Sequence, residues 1–300
     1  MPPTRVLAFL CAVGLLTIAA STRAQSPQIA FTWDDLPAHS TLPDNTTRVE
    51  IGHRIVAAMK AAHMPPVYGF INAVQLESEP ESEPMLREWR KAGLLLGNHA
   101  YSHMNLNERS LEDWEADVLK NEPTLLKYAG DSDWRWLRYP YLAMGDTPEK
   151  RTAARKFLAE HGYKIADVTM DFSDYAYNDP YARCVAKKDQ AGIAQLEAEY
   201  LKMADAEIDH ARGVAKARYG RDIPYVLLMH AGAFDSEMIP RLLDLYKSRG
   251  FKFITLEEAE KDPVYAADLN PAQPEPEWKA LLSPIPPPLH RDLDLNAVCK

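Results

Sequence analysis

The strongest constraint on the fold is an alternation of segment types. Short β-rich runs at residues 28–32, 67–71, 94–97, 134–137, 163–166, 225–229 and 251–254 are separated by helical patterns at 47–62, 84–92, 111–127, 148–160 and 236–247. Parallel strands need a crossover long enough to hold a helix, so this rhythm points to a parallel sheet covered by helices. About seven strands predict an α/β fold, a distorted (β/α) barrel. Gly93, Gly162 and Gly250 stand just past helical patterns, where a left-handed residue ends a helix before the next strand. At 300 residues and 46% hydrophobic content, the chain suffices for one barrel-sized core.

Two stretches break the rhythm. Residues 186–219 are charged and helical by composition with no strand inside, and read as an inserted helix pair. From residue 262 Pro accumulates; "SPIPPPLH" at 283–290 suits neither helix nor central strand, so 262–300 is expected to be an extended strap. At the other end, Arg5, an apolar run over 6–20 and small residues up to Ala24 have the layout of a secretory signal peptide over 1–24. The run falls short of the roughly 20 residues of a membrane span, so the expectation is export to the periplasm or exterior without stable membrane insertion. Cleavage removes Arg5 and Arg23 and no acid, moving the formal charge from −9 to −11. Such a chain lacks the basic stripe that binds nucleic acid and suits neutral or cationic substrates. Cys11 lies in the leader. Cys184 and Cys299 remain, either as one disulfide pinning the tail or as two unrelated thiols.

The reactive residues fall at strand ends. Asp34 and Asp35 follow the first run, His99 the third, Arg138 the fourth, Asp171 and Asp174 the fifth, and His230 the sixth. In a parallel barrel those C-terminal ends form one face, the one that carries chemistry. His99 and His103, four apart in "NHAYSH", would share one side of a helical turn and reach one cation. Alone, such a pair is often a surface or capping feature. Adding Asp35 gives a His₂Asp set with open positions for water and substrate, as in catalytic sites. Asp34 is then free to take a proton from water. Each residue also has a plainer reading: a turn cap for Asp34 or Asp35, a salt bridge for Arg138, a loop cap for Asp171, a strand-end histidine for His230. His39, His63 and His161 read as surface or packing residues, with His39 bordering the site.

Together the motifs resemble those of the polysaccharide deacetylases related to the nodulation chitooligosaccharide deacetylase, also called carbohydrate esterase family 4. "TWDDLP" looks like the first family motif, "HAYSH" the second, "RYPY" the third, "DFSDY" the fourth and "LMH" the fifth, in family order. The resemblance implies Asp34 as general base, Asp35, His99 and His103 as metal ligands, and His230 as general acid. It further implies that Arg138 orients Asp34, Asp174 tunes His230, the Tyr141 backbone N–H helps hold the oxyanion and Tyr175 lines the acetyl pocket. Tyr139 and Tyr141 are candidates to face a sugar ring, while Trp134 and Trp136 read as packing. Leu36, Ala100 and Tyr175 stand where the family usually has Gly, Ser or Thr, and Trp. The implied activity is metal-dependent removal of N-acetyl groups from a chitooligosaccharide- or peptidoglycan-like polymer or oligomer, releasing acetate. The implied cofactor is one divalent ion, Zn²⁺ by default, with Co²⁺, Ni²⁺ or Mn²⁺ as alternatives. An O-acetyl esterase acting on xylan-like material and a silent carbohydrate-binding protein are the competing readings.

Overall fold

A computed structural model describes residues 26–37, 39–274 and 289–300. The expected signal peptide and residues 283–288 of the Pro-rich stretch lie outside the described residues. In chain order the elements are β1 (Gln28–Leu36), α1 (Arg48–Ala61), β2 (Tyr68–Ile71), α2 (Val74–Ser78), α3 (Glu83–Lys91), β3 (Leu95–Asn98), α4 (Leu111–Ala129), β4 (Trp136–Leu137), α5 (Pro148–Glu160) and β5 (Lys164–Ile165). They continue as α6 (Asn178–Lys187), α7 (Gln190–Tyr219), β6 (Tyr225–His230), α8 (Ala233–Ser248), β7 (Lys252–Phe253), α9 (Leu256–Ala259) and α10 (Ala266–Leu269).

Local chemistry explains the boundaries. Thr47 and Glu50 form a reciprocal capping box that starts α1, and Ser110 caps α4. Thr147 caps α5, with Pro148 at its first helical position. Gly162, at φ 72°, ends α5 in the left-handed conformation expected of it.

All strands pair in parallel, in the order β5-β4-β3-β2-β1-β6, with β7 against the start of β1. The sheet curls into a half-barrel. Its open side is narrowed where Met170, beyond β5, bridges Leu227 of β6. Central β1 is buried along nearly its whole length, as a strand covered on both faces must be, and Ile29, Phe31 and Trp33 belong to one buried core with Phe70, Leu96, Trp89, Trp114 and Leu242. The C-terminal ends of β1, β3, β4 and β6 therefore open on one rim. No helix among the described residues is long and apolar enough to cross a membrane.

Two expectations need correction. The helix pair is α6 with α7, so it begins at Asn178, and residues 190–219 form a single helix. Leu196, Tyr200, Met203, Ala204, Glu207, Ile208, Ala211 and Ala215 make one continuous buried stripe, which leaves no point for a break. The elbow between the helices is Lys188, left-handed at φ 53°, followed by Asp189, whose carboxylate caps the Gly192 N–H. The region after 262 is also less extended than expected: Pro263–Tyr265 forms a turn of 3₁₀ helix and α10 follows, because Pro pre-sets a first helical turn. Residues 289–300 lie against the α6–α7 pair. Cys299 is disulfide-bonded to Cys184, and Arg183 donates to the carbonyls of Leu295 (2.8 Å) and Val298 (3.2 Å).

Candidate active site

One wall of the rim is built by β1, β3 and β4. Thr32 donates its hydroxyl to the Leu227 carbonyl (2.8 Å) and accepts from Arg138 Nη2 (3.0 Å). Arg138 Nε donates to the Ala166 carbonyl at 2.7 Å, and Nη1 donates to both oxygens of Asp34, at 3.0 and 3.3 Å. The guanidinium thus ties three strand ends together and fixes the Asp34 carboxyl. Burial lifts Asp34 to about 6, against the opposing pull of Arg138 and His230. Successive side chains on a strand point to opposite faces, yet His99 Nε2 is 3.5 Å from Asp34 Oδ2 and 3.5 Å from Asp35 Oδ1. The left-handed backbone at Asp35, φ 61°, resolves this by turning the second carboxyl back toward the first.

His99 Nδ1 donates to the Arg138 carbonyl at 2.8 Å, which directs Nε2 at Asp35. His103 Nε2 stands 3.4 Å from the same Asp35 Oδ1, and the three candidate ligand atoms lie within 4.8 Å of one another. That oxygen is buried without a hydrogen-bond partner, although buried polar atoms are nearly always satisfied. Burial lowers both histidines to about 4, keeping the rings neutral with free lone pairs. Burial opposes ionisation of Asp35, but the His39 hydrogen bond and the facing His99 and His103 hold it well below the usual carboxylate range. Two neutral imidazoles and an orphaned carboxylate oxygen fit a divalent cation.

The two histidines do not share a helical turn as the spacing suggested. Ala100 and His103 are left-handed, at φ 55° and 58°, and the loop is held by side chains instead. Asn98 accepts from the Ala100 N–H (2.9 Å), Asn72 donates to the Ala100 carbonyl (2.9 Å), and Asp117 accepts from the Ser102 N–H (3.0 Å) and hydroxyl (2.9 Å).

The opposite wall carries His230. Asp174 accepts from both its backbone N–H (2.6 Å) and its Nδ1 (2.8 Å). Burial by itself would lower His230, but Asp174 outweighs it and, with Asp35 and Asp34, raises it to about 10. Asp171 caps its own loop, as expected, by accepting from the Ser173 N–H at 2.7 Å. Behind Asp174 lies a network that sequence reading missed. Asn178 Nδ2 donates to Asp235 (2.8 Å), Asn178 Oδ1 accepts from the Phe234 N–H (2.8 Å), and the Tyr200 hydroxyl donates to Asp235 (2.9 Å). Burial and neighbouring Asp174 push Asp235 well above the carboxylate range. The one available signal was an acid inside the apolar helix start "AGAFDSEMI".

Tyr141 and Tyr175 stand at the mouth, 67% and 45% exposed, with rings 4.3 Å from His103 and 5.3 Å from His230. Tyr139 does not face the opening; it is buried and stacked on Trp114. His39, read as a surface or packing residue bordering the site, does border it and hydrogen-bonds Asp35 at 2.6 Å. His161 meets its expectation, bonded to the Phe157 carbonyl and away from the site. Asp35, His99 and His103 thus form one cluster, flanked by Asp34–Arg138 and His230–Asp174. A separate cavity of about 750 Å³ is lined by Asp171, Phe172, Met203, Glu207 and Ala211 among others, and includes none of these seven residues.

Comparison with known proteins agrees with the resemblance read from the motifs. Residues 21–166 match the polysaccharide deacetylase family. A chitin deacetylase from Arthroderma benhamiae is 24% identical over 194 residues, 65% of this chain but only 44% of that protein, so the match spans less than half of the relative. The polysaccharide deacetylase Bc1974 from Bacillus cereus shares the fold with a TM-score of 0.57 at 17% identity, over 82% of this chain and 99% of that one. So does a carbohydrate esterase family 4 pseudoenzyme from Bacillus anthracis, with a TM-score of 0.53 at 14% identity, over 78% and 65%. The chain is thus similar to the polysaccharide deacetylases in sequence over residues 21–166 and in fold. Because the fold is shared with a pseudoenzyme, activity must be argued from the residues.

Proposed function

We propose that this chain is an exported, metal-dependent deacetylase that removes N-acetyl groups from an amino-sugar polymer or oligomer and releases acetate. The observation that carries the reading is a base fixed by Arg138 and an acid fixed by Asp174 on opposite sides of one His₂Asp cluster. Asp35, His99 and His103 would hold the divalent ion, Zn²⁺ in the first instance. When bound, the ion supplies Lewis-acid polarisation of water and of the acetyl carbonyl. Asp34, clamped by Arg138, takes the proton from the attacking water. His230, with Nδ1 engaged by Asp174, gives a proton from Nε2 to the departing nitrogen, which leaves poorly unless protonated. The Tyr141 backbone N–H donates to the developing oxyanion, and the Tyr175 ring lines the acetyl pocket. The Cys184–Cys299 disulfide supports an oxidising compartment, in keeping with export.

The test is acetate release from N-acetylated sugar oligomers, peptidoglycan and acetyl-xylan, with chelator-treated and Asp34→Asn samples alongside. Release from the amino sugars that vanishes in both controls is the expected result. Release from acetyl-xylan alone would establish an esterase instead, and no release on any substrate by metal-loaded chain would establish a silent binder.

A further inference from the structure

The two oxygens of Asp35 have different surroundings. Oδ1 faces His99 and His103 and lacks a hydrogen-bond partner, whereas Oδ2 is engaged by His39 Nδ1 at 2.6 Å. A carboxylate only accepts, so the proton of this bond sits on the imidazole nitrogen. His39 is anchored in turn. Its backbone N–H donates to the Ala231 carbonyl at 2.9 Å, and the adjoining Ser40 carbonyl accepts from Arg48 Nη1 at 3.0 Å. Arg48 is itself bound to Glu79 at 2.8 Å. The ring packs between His230 (5.1 Å) and Tyr175 (6.2 Å).

We infer that His39 is a positioning residue that fixes Asp35 as a one-oxygen ligand, holding Oδ2 aside so that only Oδ1 is offered to the cation. This rests on the metal-dependent reading above. Freed of His39, the Asp35 carboxyl can rotate and present both oxygens, occupying a position that water or the acetyl carbonyl needs. Hydrogen-bond partners that orient ligands commonly change metal affinity by 10- to 100-fold.

The test compares the full chain with His39→Leu, which fills the space without a donor, and His39→Asn, whose amide nitrogen keeps a donor near the Nδ1 position. Zn²⁺ dissociation constants come from competition with a chromophoric chelator, and the visible absorption of the Co²⁺-loaded proteins reports coordination number. His39→Leu is expected to bind Zn²⁺ about 10- to 100-fold more weakly, with Co²⁺ bands altered in intensity, and His39→Asn to recover most of the affinity and the wild-type spectrum. If His39→Leu does not fold, the Asn variant decides: wild-type spectrum and near-wild-type affinity support the inference, and a changed spectrum overturns it. Equal affinity and identical spectra in wild type and His39→Leu would overturn the inference while leaving the metal reading intact. A wild-type chain that binds neither ion would overturn both.

Discussion

The two walls of the site are built differently. The wall bearing Asp34, Asp35, His99 and Arg138 grows from adjacent parallel strand ends, and Arg138 alone reaches Thr32, Asp34 and Ala166. The wall bearing His230 depends on a loop, Asp171 to Asn178, supported from behind by Asp235 of α8 and Tyr200 of α7. The sheet sets the first wall, and a buried polar network set by an added helix holds the second. Damage to the first should therefore strike the chemical step directly, whereas damage behind the second should act through the placement and charge of His230.

The largest effect is expected at Asp34. Asp34→Asn should reduce acetate release by roughly 10³-fold with Zn²⁺ affinity nearly unchanged; a comparable loss of affinity would mean that the two adjacent acids do not divide base and ligand roles. Asp174→Asn should cost about 10²-fold and move the alkaline limb of the pH profile toward lower pH. The sign follows from His230 being raised to about 10 with Asp174 as the main raising influence. An acid must be protonated to donate, so a lowered value brings its loss to lower pH. An unshifted limb would remove His230 from the acid role.

Glu207 of α7 accepts from the Asp171 N–H at 3.2 Å and is pushed up to about 8 by burial. The folded chain keeps a proton there that the unfolded chain releases near 4.5, so stability is lost as pH rises from about 4.5 to about 8. Glu207→Gln should therefore unfold at higher denaturant than wild type at pH 8, by on the order of 2 kcal/mol, and show no gain at pH 4; equal pH slopes in the two proteins would contradict this. The smallest effect is expected from Tyr200→Phe, about 1 kcal/mol of stability, with kcat lowered more than KM is changed. A pure stability loss with unchanged kcat would show that the network holds the fold and not the acid.

The same contrast explains what could be read from the sequence. All seven strands were legible because each is a compact β-rich run bounded by turn residues, and the first wall followed because strand ends of a parallel sheet share one rim. The second wall rests on Asn178, Tyr200 and Asp235, whose separation in the chain follows no spacing. His39 was legible as a neighbour of the site, but its bond to Asp35 was not, because with Pro37 between them no strand or helix periodicity relates the two. The helix pair starts earlier than composition suggested, at Asn178, because its elbow falls at Lys188, whose left-handed conformation composition does not foretell.

Six non-glycine residues around the rim, Asp35, Ala100, His103, Tyr141, Leu142 and Ser173, hold positive φ. An L-residue in this conformation costs roughly 1–2 kcal/mol, and such residues gather where function demands an awkward geometry. This makes the rim the region where heat tolerance and turnover compete. Ala100→Gly is a case in point: it relieves one of these costs while loosening the turn that aims His99 and His103 at Asp35. A search for a sturdier catalyst should leave the rim untouched and look to the helices and loops beneath the sheet, where a gain in stability does not compete with aim.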